Sequence, residues 1–285
     1  MSNALRILHG PFGRVALLDM DTSLVRHAHP HCHVLLKADG ADTQFSVRDG
    51  LAPLTEGSAV LINAWEPHAY VHDPARPRST ILALYIEPSW LGAFRRNWTA
   101  SGAPGFFETS CGAVSPRIAR LARDLAAVML ADPGADATQQ RLLSDLMVAV
   151  IERFADWRGV DRAALGAGGV DFRIRRAVET LRREPGQIGS MAHLARSSGL
   201  SRAHFFRLFE QAVKMTPRMF LNMLRIEAAM TQVIDGEASM AEISDDLGFA
   251  APAHFTRFFR DHASTAPREF RAIARLGRAG LGAAG

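Results

Sequence analysis

Cysteine and lysine are scarce in this chain, and long apolar runs are missing. Two cysteines, Cys32 and Cys111, and two lysines, Lys37 and Lys214, occur among 285 residues. Two cysteines exclude a dense disulfide framework and favour a reducing compartment. No run of eighteen apolar residues occurs, and the first residues lack the basic-then-apolar order of a signal peptide. These absences predict a cytoplasmic protein with no membrane partner.

Positive charge is also unevenly placed. Residues 171–285 carry 17 Arg or Lys against 12 Asp or Glu, whereas residues 1–170 carry 16 against 17. The excess is almost all arginine, whose planar guanidinium suits phosphate oxygens and guanine edges. A surplus of this size does not by itself establish nucleic-acid binding. The length allows two domains, each with its own core.

One apolar and basic pattern occurs twice in the basic region. AHFFRLFEQAVKMTPRMF begins at residue 203, and AHFTRFFRDHASTAPREF begins fifty residues later. Each copy predicts a short helix, a glycine turn, a second helix and a proline step that opens a third. The short helices are expected at Ser190–Ser197 and Ser239–Leu247, each capped by its first serine. Gly199 and Gly248 are expected to take the positive φ that ends each short helix.

Each second helix has an apolar face with i, i+3, i+4 spacing: Phe205, Leu208, Phe209 and Phe255, Phe258, Phe259. This arrangement predicts two helix-turn-helix motifs. Residues 217–235 predict a connecting helix, roughly 28 Å long at 1.5 Å per residue. Such a rod could place the motifs in adjacent major grooves, about 34 Å apart. Two units of a helical repeat are the weaker alternative, because solenoids usually need three or more units.

Residues 171–275 resemble the DNA-binding domain of the AraC/XylS family of bacterial transcription regulators. The resemblance rests on LARSSGLSRAHFFRLF, TPRMF, ISDDLGFAAPAHFTRFFR and APREFR. It implies seven helices, with the second helix of each motif in the major groove of double-stranded DNA. By position, the implied DNA-binding residues are Arg202, Ala203, His204, Phe206, Arg207, Ala253, His254, Thr256 and Arg257.

Two positions depart from that family's pattern. Phe206 stands where a polar base reader is common, and Ala266 replaces the habitual threonine before proline. Phe206 either contacts a thymine methyl or covers the stem of Arg207. Arg207 and Arg257 either read bases or pair with acids of the connecting helix.

The front of the chain has short runs rich in Val, Leu, Ile and Thr between residues 12 and 90. They are RVALLDM, HVLLKADG, TQFSVRDG, SAVLINAW and STILALYIE, and Gly, Asp and Pro separate them. This spacing predicts an antiparallel β-sandwich or barrel without helices in that range. The expected fold class is therefore α+β, a β-barrel followed by an all-α region.

Six histidines fall in this segment: His72, expected in a loop, and the set His27, His29, His31, His33 and His68. As alternating strand positions the first four of that set would share one face, unless Pro30 breaks the alternation. The segment resembles a cupin, with a His-x-His pair, His33 in place of the motif's glutamate, a closing Gly40, and a second motif from Gly57 to His68. In the AraC/XylS family a cupin-like barrel is the usual sensor, and most such sensors hold an organic effector without metal.

An acid is missing from the first cupin motif, which leaves an all-nitrogen set of possible ligands: His27, His29, His33 and His68. Such a set can bind Zn, Fe, Ni or Cu, with His31 facing elsewhere. The alternative is that the histidines line a polar pocket for a small-molecule effector. Trp65 either walls that pocket or anchors the barrel.

Two helical stripes follow the barrel: Ile118, Leu121, Leu125, Val128 and Leu142, Leu146, Val150, Phe154. Such a pair either packs on the barrel alone or carries dimerisation, as this region commonly does in the resembled family. The expected division is a barrel at 1–110, the helix pair at 111–157, a flexible Gly- and Ala-rich linker at 158–170, the DNA-binding domain at 171–275 and a disordered tail at 276–285.

The combined prediction is a ligand- or metal-responsive transcription regulator, not an enzyme. The resemblance implies a homodimeric activator that contacts RNA polymerase. Its effector would change how the barrel, the helix pair or an N-terminal arm, residues 1–11, meets the DNA-binding domain. The alternative is a metal-dependent oxygenase or isomerase fused to a DNA-binding module. Against it, Glu66 is the only notable carboxylate near the histidines, and no separate acid or base is visible.

Overall fold

The computed structural model describes residues 2–94, 101–102, 105–132, 136–155 and 171–278. A strand-rich part with two long helices comes first, and a helical part follows. Residues 171–268 belong to a compact unit of their own, and each unit is described separately below. The predicted linker at 158–170 lies outside the described residues.

Strands in the first unit form two antiparallel sheets. They are β1 (Asn3–Gly10), β2 (Gly13–Met20), β3 (Cys32–Gly40), β4 (Thr43–Val47), β5 (Gly50–Leu54), β6 (Ser58–Ile62), β7 (His68–Val71), β8 (Ser79–Ile86) and β9 (Cys111–Ala113). The larger sheet has the order β1-β2-β8-β3-β6-β9, and the smaller has the order β5-β4-β7. This is the strand-rich first domain that the sequence predicts.

Much of the larger sheet is apolar on both faces, and both faces are covered. Leu35 and Ala83 point into a core shared with Phe45 and Tyr70 of the smaller sheet. Their neighbours point the opposite way, as Leu36 does, into a core shared with the two long helices. Burial on both faces explains why β3 and β8 read as nearly continuous apolar runs rather than as an alternation.

The two long helices are α2 (Pro116–Ala131) and α3 (Asp136–Phe154), and a short helix, α1 (Pro88–Phe94), precedes them. The Ser115 hydroxyl accepts a hydrogen bond from the Ile118 amide at 3.3 Å and so caps α2. Leu125 and Leu146, one from each predicted stripe, are fully buried in the core beneath the larger sheet. The stripes therefore cover the sheet, and dimerisation by this helix pair stays a prediction.

Several boundaries differ from those expected from the sequence. The expected N-terminal arm is wrong, because Asn3–Gly10 is a strand that pairs with β2. β9 pairs with β6 and so carries the larger sheet three residues past the expected end at 110. A helix, α1, begins at Pro88, inside the range expected to lack helices. Strand pairing depends on distant segments, which short-range patterns do not reveal.

Helices alone make up the second part of the chain: α4 (Phe172–Arg183), a 3₁₀ turn (Pro185–Gln187), α5 (Met191–Ser197), α6 (Arg202–Val213), α7 (Pro217–Asp235), α8 (Met240–Asp246), α9 (Pro252–Ala263) and α10 (Pro267–Arg278). α7 has the bounds expected for the connecting helix. α10 reaches Arg278, so the start of the expected disordered tail is helical, and residues 279–285 lie outside the described residues.

Local signals set the ends of these helices as predicted. Ser190 caps α5 by accepting from the His193 amide at 3.1 Å, and Ser239 forms a capping box with Glu242 at the start of α8. After α5 and α8 the chain turns through glycines with φ of 68° at Gly199 and 71° at Gly248. Both motifs thus have the helix, glycine turn and helix that the repeat predicts.

Aromatic residues form the core under both motifs. Phe205 and Phe209 of α6 are fully buried, and Phe209 packs against Phe220 of α7 with ring centres 5.6 Å apart. Phe255 and Phe259 hold the same places in α9. The apolar faces expected from the i, i+4 spacing therefore point inward, which leaves the opposite faces of α6 and α9 to solvent.

None of the helices in the described residues is both long and apolar enough to cross a membrane.

Cys32 and Cys111 are free thiols, and burial raises the pKa of Cys32 to about 12.

Candidate effector site and nucleic-acid interface

A row of polar side chains crosses the inner face of the larger sheet. Register pairs Arg14 of β2 with Tyr85 of β8, Tyr85 with His33 of β3, and His33 with Ile62 of β6. Residues directly opposite each other on neighbouring strands share a face. His33 and Tyr85 therefore lie on the same face as Leu35, between the two sheets.

Two irregular segments bring further histidines to this row. The backbone of His27 pairs with that of His68, with N–H to O distances of 2.9 and 2.8 Å. The Trp65 amide donates to the His29 carbonyl at 2.7 Å. Trp65 has a φ of 64°, an uncommon value for a bulky residue, and it turns the chain toward β7. These contacts hold residues 27–29 beside the loop before His68.

His27, His29, His33 and His68 are together called the histidine cluster, and each is at most 4% exposed. Ring centres are 4.5 Å apart for His27 and His68, and 4.7 Å apart for His33 and His68. His29 lies 5.4 Å from both His33 and His68 by the same measure. One nitrogen from each of His27, His29 and His68 lies within 4.8 Å of the other two.

Hydrogen bonds set the tautomers of two of these rings. Nδ1 of His27 lies 2.6 Å from the Val25 carbonyl, and Nδ1 of His68 lies 2.8 Å from the Glu66 carbonyl. A carbonyl only accepts, so each Nδ1 carries the proton and each Nε2 keeps its lone pair. Among the described residues, Nε2 of His68 and both ring nitrogens of His33 are buried with no hydrogen-bond partner.

Burial favours the neutral form of three of the four cluster histidines. It lowers the pKa of His68 from 6.5 to about 4, and it lowers the pKa of His29 and His33 well below 6.5. Neighbouring positive charge, including that of Arg14, acts on His29 and His33 in the same direction. Neutral imidazole is the form that binds metals, and a carbonyl on the far nitrogen is the usual support of a histidine ligand. The residues present therefore fit a divalent metal.

The other predicted residues near the site have different surroundings. His31 is outside the cluster and contacts Glu87, with Nε2 to Oε2 at 3.1 Å. The chain is irregular up to His31, so β3 begins only at Cys32 and the alternation expected from His27 to His33 does not hold. Trp65 is half-buried, and its backbone anchors the loop as described above. The alternation is interrupted near Pro30, which is one of the two possibilities that the sequence allowed.

Glu66 is buried but does not serve the cluster through its carboxylate. Oε2 accepts from the Asn63 amide at 3.0 Å, and Oε1 accepts from Nε of Arg48. The Asn63 side chain in turn binds the backbone of Phe107, with distances of 2.7 and 3.0 Å. Glu66 thus joins the loop before His68 to the segment that precedes β9.

Two residues of the site were missed from the sequence. Tyr85 packs on His29 and His33 with ring centres 5.0 and 4.7 Å apart, and the guanidinium carbon of Arg14 lies 4.1 Å from the Tyr85 ring centre. The alternation of RVALLDM places Arg14 on the same face as Met20. That signal becomes informative only when the pairing of β2 with β8 is known.

The predicted DNA-binding residues lie on the outer faces of α6 and α9. Exposed positions are Arg202, Ala203, His204 and Arg207 in α6, and Ala253, His254 and Arg257 in α9. Phe206 is half-buried, and its ring lies 5.6 Å from the Arg202 guanidinium carbon. Thr256 is half-buried too, and its hydroxyl donates to the Pro252 carbonyl at 2.9 Å. Both outer faces thus present an arginine at the matching position, Arg207 and Arg257.

A strand-rich sensor unit and a helical unit with two helix-turn-helix motifs define a class, the transcription regulators that carry both functions in one chain. A family model described as an AraC-like ligand binding domain matches residues 16–148, and one described as a helix-turn-helix domain matches residues 194–273. Together they take in well over half of the sequence. The chain belongs to the AraC family of transcription regulators.

Sequence identity to individual curated relatives is low. An HTH-type transcriptional regulator of Haemophilus influenzae is 24% identical over 140 residues, which are 49% of this chain and 47% of that protein. The HTH-type transcriptional regulator MtrA of Neisseria gonorrhoeae is 21% identical over 131 residues, 46% of this chain and 44% of that protein. The chain spans about half the length of the curated relatives it matches.

Solved structures of ToxT from Vibrio cholerae have a similar fold. An apo variant of ToxT has a TM-score of 0.57 at 11% identity, covering 94% of this chain and 100% of that chain. ToxT with an unsaturated fatty acid bound has a TM-score of 0.51 at 10% identity, covering 95% and 96%. At these identities the likeness concerns the fold alone.

Proposed function

We propose that this chain is a metal-responsive transcription regulator. A divalent transition metal, Zn, Fe, Ni or Cu, binds the histidine cluster and changes the affinity of the helix-turn-helix unit for double-stranded DNA. The observation that carries the proposal is the approach of His27, His29 and His68, whose nitrogens lie within 4.8 Å of one another, with Nδ1 of His27 and of His68 held by backbone carbonyls.

The DNA half of the proposal rests on the outer faces of α6 and α9. Each presents an exposed arginine, and α7 joins the two motifs with nineteen residues of helix. We propose that α6 and α9 enter adjacent major grooves on one side of the duplex. Arginine is suited to guanine edges and phosphates, so Arg207 and Arg257 supply the principal contacts.

A route from the cluster toward the DNA-binding unit follows hydrogen bonds. His68 binds the Glu66 carbonyl, the Glu66 carboxylate binds Asn63, and Asn63 binds Phe107. Phe107 pairs with Ala155 at the end of α3, and Ala155 precedes the stretch that leads to residue 171. We propose that metal binding at His68 acts on α3 through Asn63, which makes the end of the helix pair the output of the sensor.

Assembly and direction of control are proposed from membership in the family. The regulator acts in the cytoplasm as a homodimer and an activator that contacts RNA polymerase. Sedimentation equilibrium of the full chain, with and without DNA, tests the dimer. A monomer at every concentration, free and on DNA, contradicts it.

The experiment for the function combines metal analysis with footprinting. Full-length protein is purified without an affinity tag, treated with a chelator, and reloaded with each metal in turn. We expect one ion per chain and protection of two neighbouring DNA segments, with a protection midpoint that depends on the metal. Failure to bind any of the four metals contradicts the sensor half, and the absence of paired protection contradicts the DNA half.

The same protein preparation separates a sensor from a metal-dependent oxygenase or isomerase. Its named relatives are transcription regulators, and Glu66 is bound to Arg48 and Asn63 rather than placed as an acid or base at the cluster. We expect the metal to change DNA affinity without any small molecule being consumed. Turnover of a bound ligand would favour the enzyme.

A further inference from the structure

The two glycine turns of the helical unit have the same backbone conformation but different surroundings. Gly199 and Gly248 both have a positive φ, 68° and 71°. A methyl group added at Gly199 would lie in open space, whereas one added at Gly248 would overlap the carbonyl oxygen of Gly186. The turn of the second motif is therefore packed against another segment of the chain at a point where the turn of the first motif is open.

The segment that meets Gly248 is the 3₁₀ turn at Pro185–Gln187, between α4 and α5. Gly186 of this turn also approaches the end of α8 so closely that a methyl group there would overlap the carbonyl oxygen of Asp246. Glycine permits such an approach of two backbones, because it has no side chain to hold them apart. This contact joins the first half of the helical unit directly to the second motif.

Arg225 of α7 reaches the same junction. Its Nε donates to the Pro185 carbonyl at 3.1 Å, and its guanidinium carbon lies 5.4 Å from the ring centre of Phe249. Phe249 follows Gly248 and packs on Phe258 of α9, with ring centres 5.0 Å apart. Arg225 is half-buried between these partners. It therefore ties α7 both to the turn after α4 and to the aromatic core of the second motif.

A second point of attachment matters for a protein that reads two grooves. Successive base pairs rotate by roughly 35° about the duplex axis, because one turn takes about 10 base pairs. Two recognition helices joined by a single hinge could follow a small change in the separation of their sites. When the two halves are also joined at a second point, the helices cannot rotate independently, and they match one separation.

We propose that Gly186, Gly248 and Arg225 form a clamp that fixes the rotation between the two helix-turn-helix motifs and so selects the spacing of their DNA sites. Arg225 is a positioning residue, since it acts through the placement of α6 and α9. The inference rests on the proposed docking of these two helices in adjacent major grooves, and it adds a preference for one spacing.

The test measures the cost of changing that spacing. Full-length protein selects fragments from a pool of random duplex DNA, and footprinting locates the two protected segments in one of them. The fragment is then remade with two base pairs inserted or deleted between the segments, which rotates one against the other by roughly 70°. Gel-shift titrations compare the affinities for these fragments, in one series with Zn²⁺ and in one with a chelator.

Gly186→Ala and Arg225→Met are the variants that open the clamp. Gly189→Ala is the matched control, because it makes the same change in the same segment at a position where an added methyl group meets open space. Thermal denaturation followed by circular dichroism establishes that each variant is folded. The quantity compared is the ratio of affinities for the original and the respaced fragment within each variant, which a smaller fraction of active protein does not change.

We expect the wild type and Gly189→Ala to lose about tenfold or more in affinity when the spacing changes. In Gly186→Ala and Arg225→Met the loss should shrink to about threefold or less, because the motifs can then rotate toward their sites. Their affinity for the original fragment should also fall, since a flexible junction has to be ordered on binding.

Three results would overturn the proposal: a wild-type affinity that does not depend on the spacing, a full spacing loss in folded Gly186→Ala and Arg225→Met, or an equal reduction of that loss in Gly189→Ala. The first of these needs no variant. A wild type that protects no pair of segments would instead contradict the proposed docking on DNA. The two failures are therefore distinguishable.

Discussion

Histidine and arginine are buried at the candidate site of the sensor unit and exposed at the candidate site of the helical unit. In the sensor unit the cluster histidines and Arg14 are at most 9% exposed and stand between two sheets. In the helical unit Arg202, His204 and Arg207 are exposed on α6. The same residue types thus belong to an interior site in one unit and to an outer face in the other.

Burial explains the different chemistry of the two sites. Loss of water lowers the pKa of His29, His33 and His68, which favours the neutral imidazole that the proposed metal would need. The arginines of α6 and α9 stay in water, where they can exchange hydration for phosphate contacts. Each unit therefore has the environment that its proposed ligand requires. The predictions below alter one unit while the other serves as a reference.

The largest effect is expected from removing two cluster histidines together. His29→Ala combined with His68→Ala deletes two of the four proposed ligands and should weaken metal binding by more than about a hundredfold. DNA affinity in the presence of a chelator should match that of the wild type. Competition with a metal-binding dye measures the first quantity, and a gel-shift titration measures the second.

His31→Ala is the matched control for that double variant, because His31 lies in the same segment but outside the cluster. A loss of metal binding in His31→Ala equal to that of the double variant would remove the cluster from the sensor function. His68→Gln is a second variant that keeps a polar group in the site. It separates a loss of metal binding from a loss of folding. Its tryptophan fluorescence should resemble that of the wild type.

Acidification should destabilise the metal-free sensor unit. The pKa of His68 is about 4 when folded and 6.5 ordinarily, so between these values the unfolded chain binds a proton that the folded chain does not. Stability is therefore present above pH 6.5 and falls as the pH decreases to 4, by up to about 3 kcal/mol for this residue. Urea unfolding followed by tryptophan fluorescence at several pH values measures this loss.

The helical unit provides the comparison in the same experiment. Burial lowers the pKa of His262 there. Circular dichroism, to which both units contribute helices and the helical unit the larger share, should show a smaller pH dependence than the tryptophan signal. Equal dependence of the two signals would contradict the assignment of acid sensitivity to the cluster.

Arg207→Ala should weaken specific DNA binding by about 1 to 3 kcal/mol, because it removes the arginine of the outer face of α6. Metal affinity should not change, since the cluster lies in the other unit. Arg183→Ala, at the end of α4, is a control that removes an exposed arginine outside both motifs. Gel-shift titrations at fixed salt measure the difference, and an unchanged affinity would exclude Arg207 from the interface.

A smaller effect is expected at the hydrogen-bonded route from His68 to the end of α3. Asn63→Ala removes the side-chain bonds to Phe107 and should reduce the influence of metal on DNA affinity by about 0.5 to 2 kcal/mol. The intrinsic metal affinity should be kept. Thr109→Ala is the control, because its hydroxyl binds the Cys111 carbonyl in the same segment without reaching the loop before His68. Full coupling in folded Asn63→Ala would contradict this route.

Sequence patterns predicted more of the secondary structure of the helical unit than of the sensor unit. The bounds of α7, the serine caps and the positive φ of Gly199 follow from signals within a few residues. β1, β5 and β7 were missed, because strands are defined by partners far along the chain. Arg14 and Tyr85 were missed for the same reason: they meet only through the pairing of β2 with β8.

The histidines were predicted as a set before their geometry was known. Spacing alone left His31 and His33 equivalent, since both fit an alternation that begins at His27, and the resemblance to the cupin motif selected His33. Position at the start of β3 decides between them, because His33 faces Tyr85 across the sheet. Metal binding and DNA contacts by these residues stay predictions that the experiments above address.

The central claim is that the buried histidines control the exposed arginines. Fluorescence anisotropy of one labelled DNA fragment, bound to chelator-treated full-length protein while Zn²⁺ is titrated in, tests it most directly. We predict a change in DNA affinity that saturates at one ion per chain and is absent from the variant with His29→Ala and His68→Ala. A DNA affinity that stays constant while Zn²⁺ fills the site, or one that changes equally in that variant, would contradict the account.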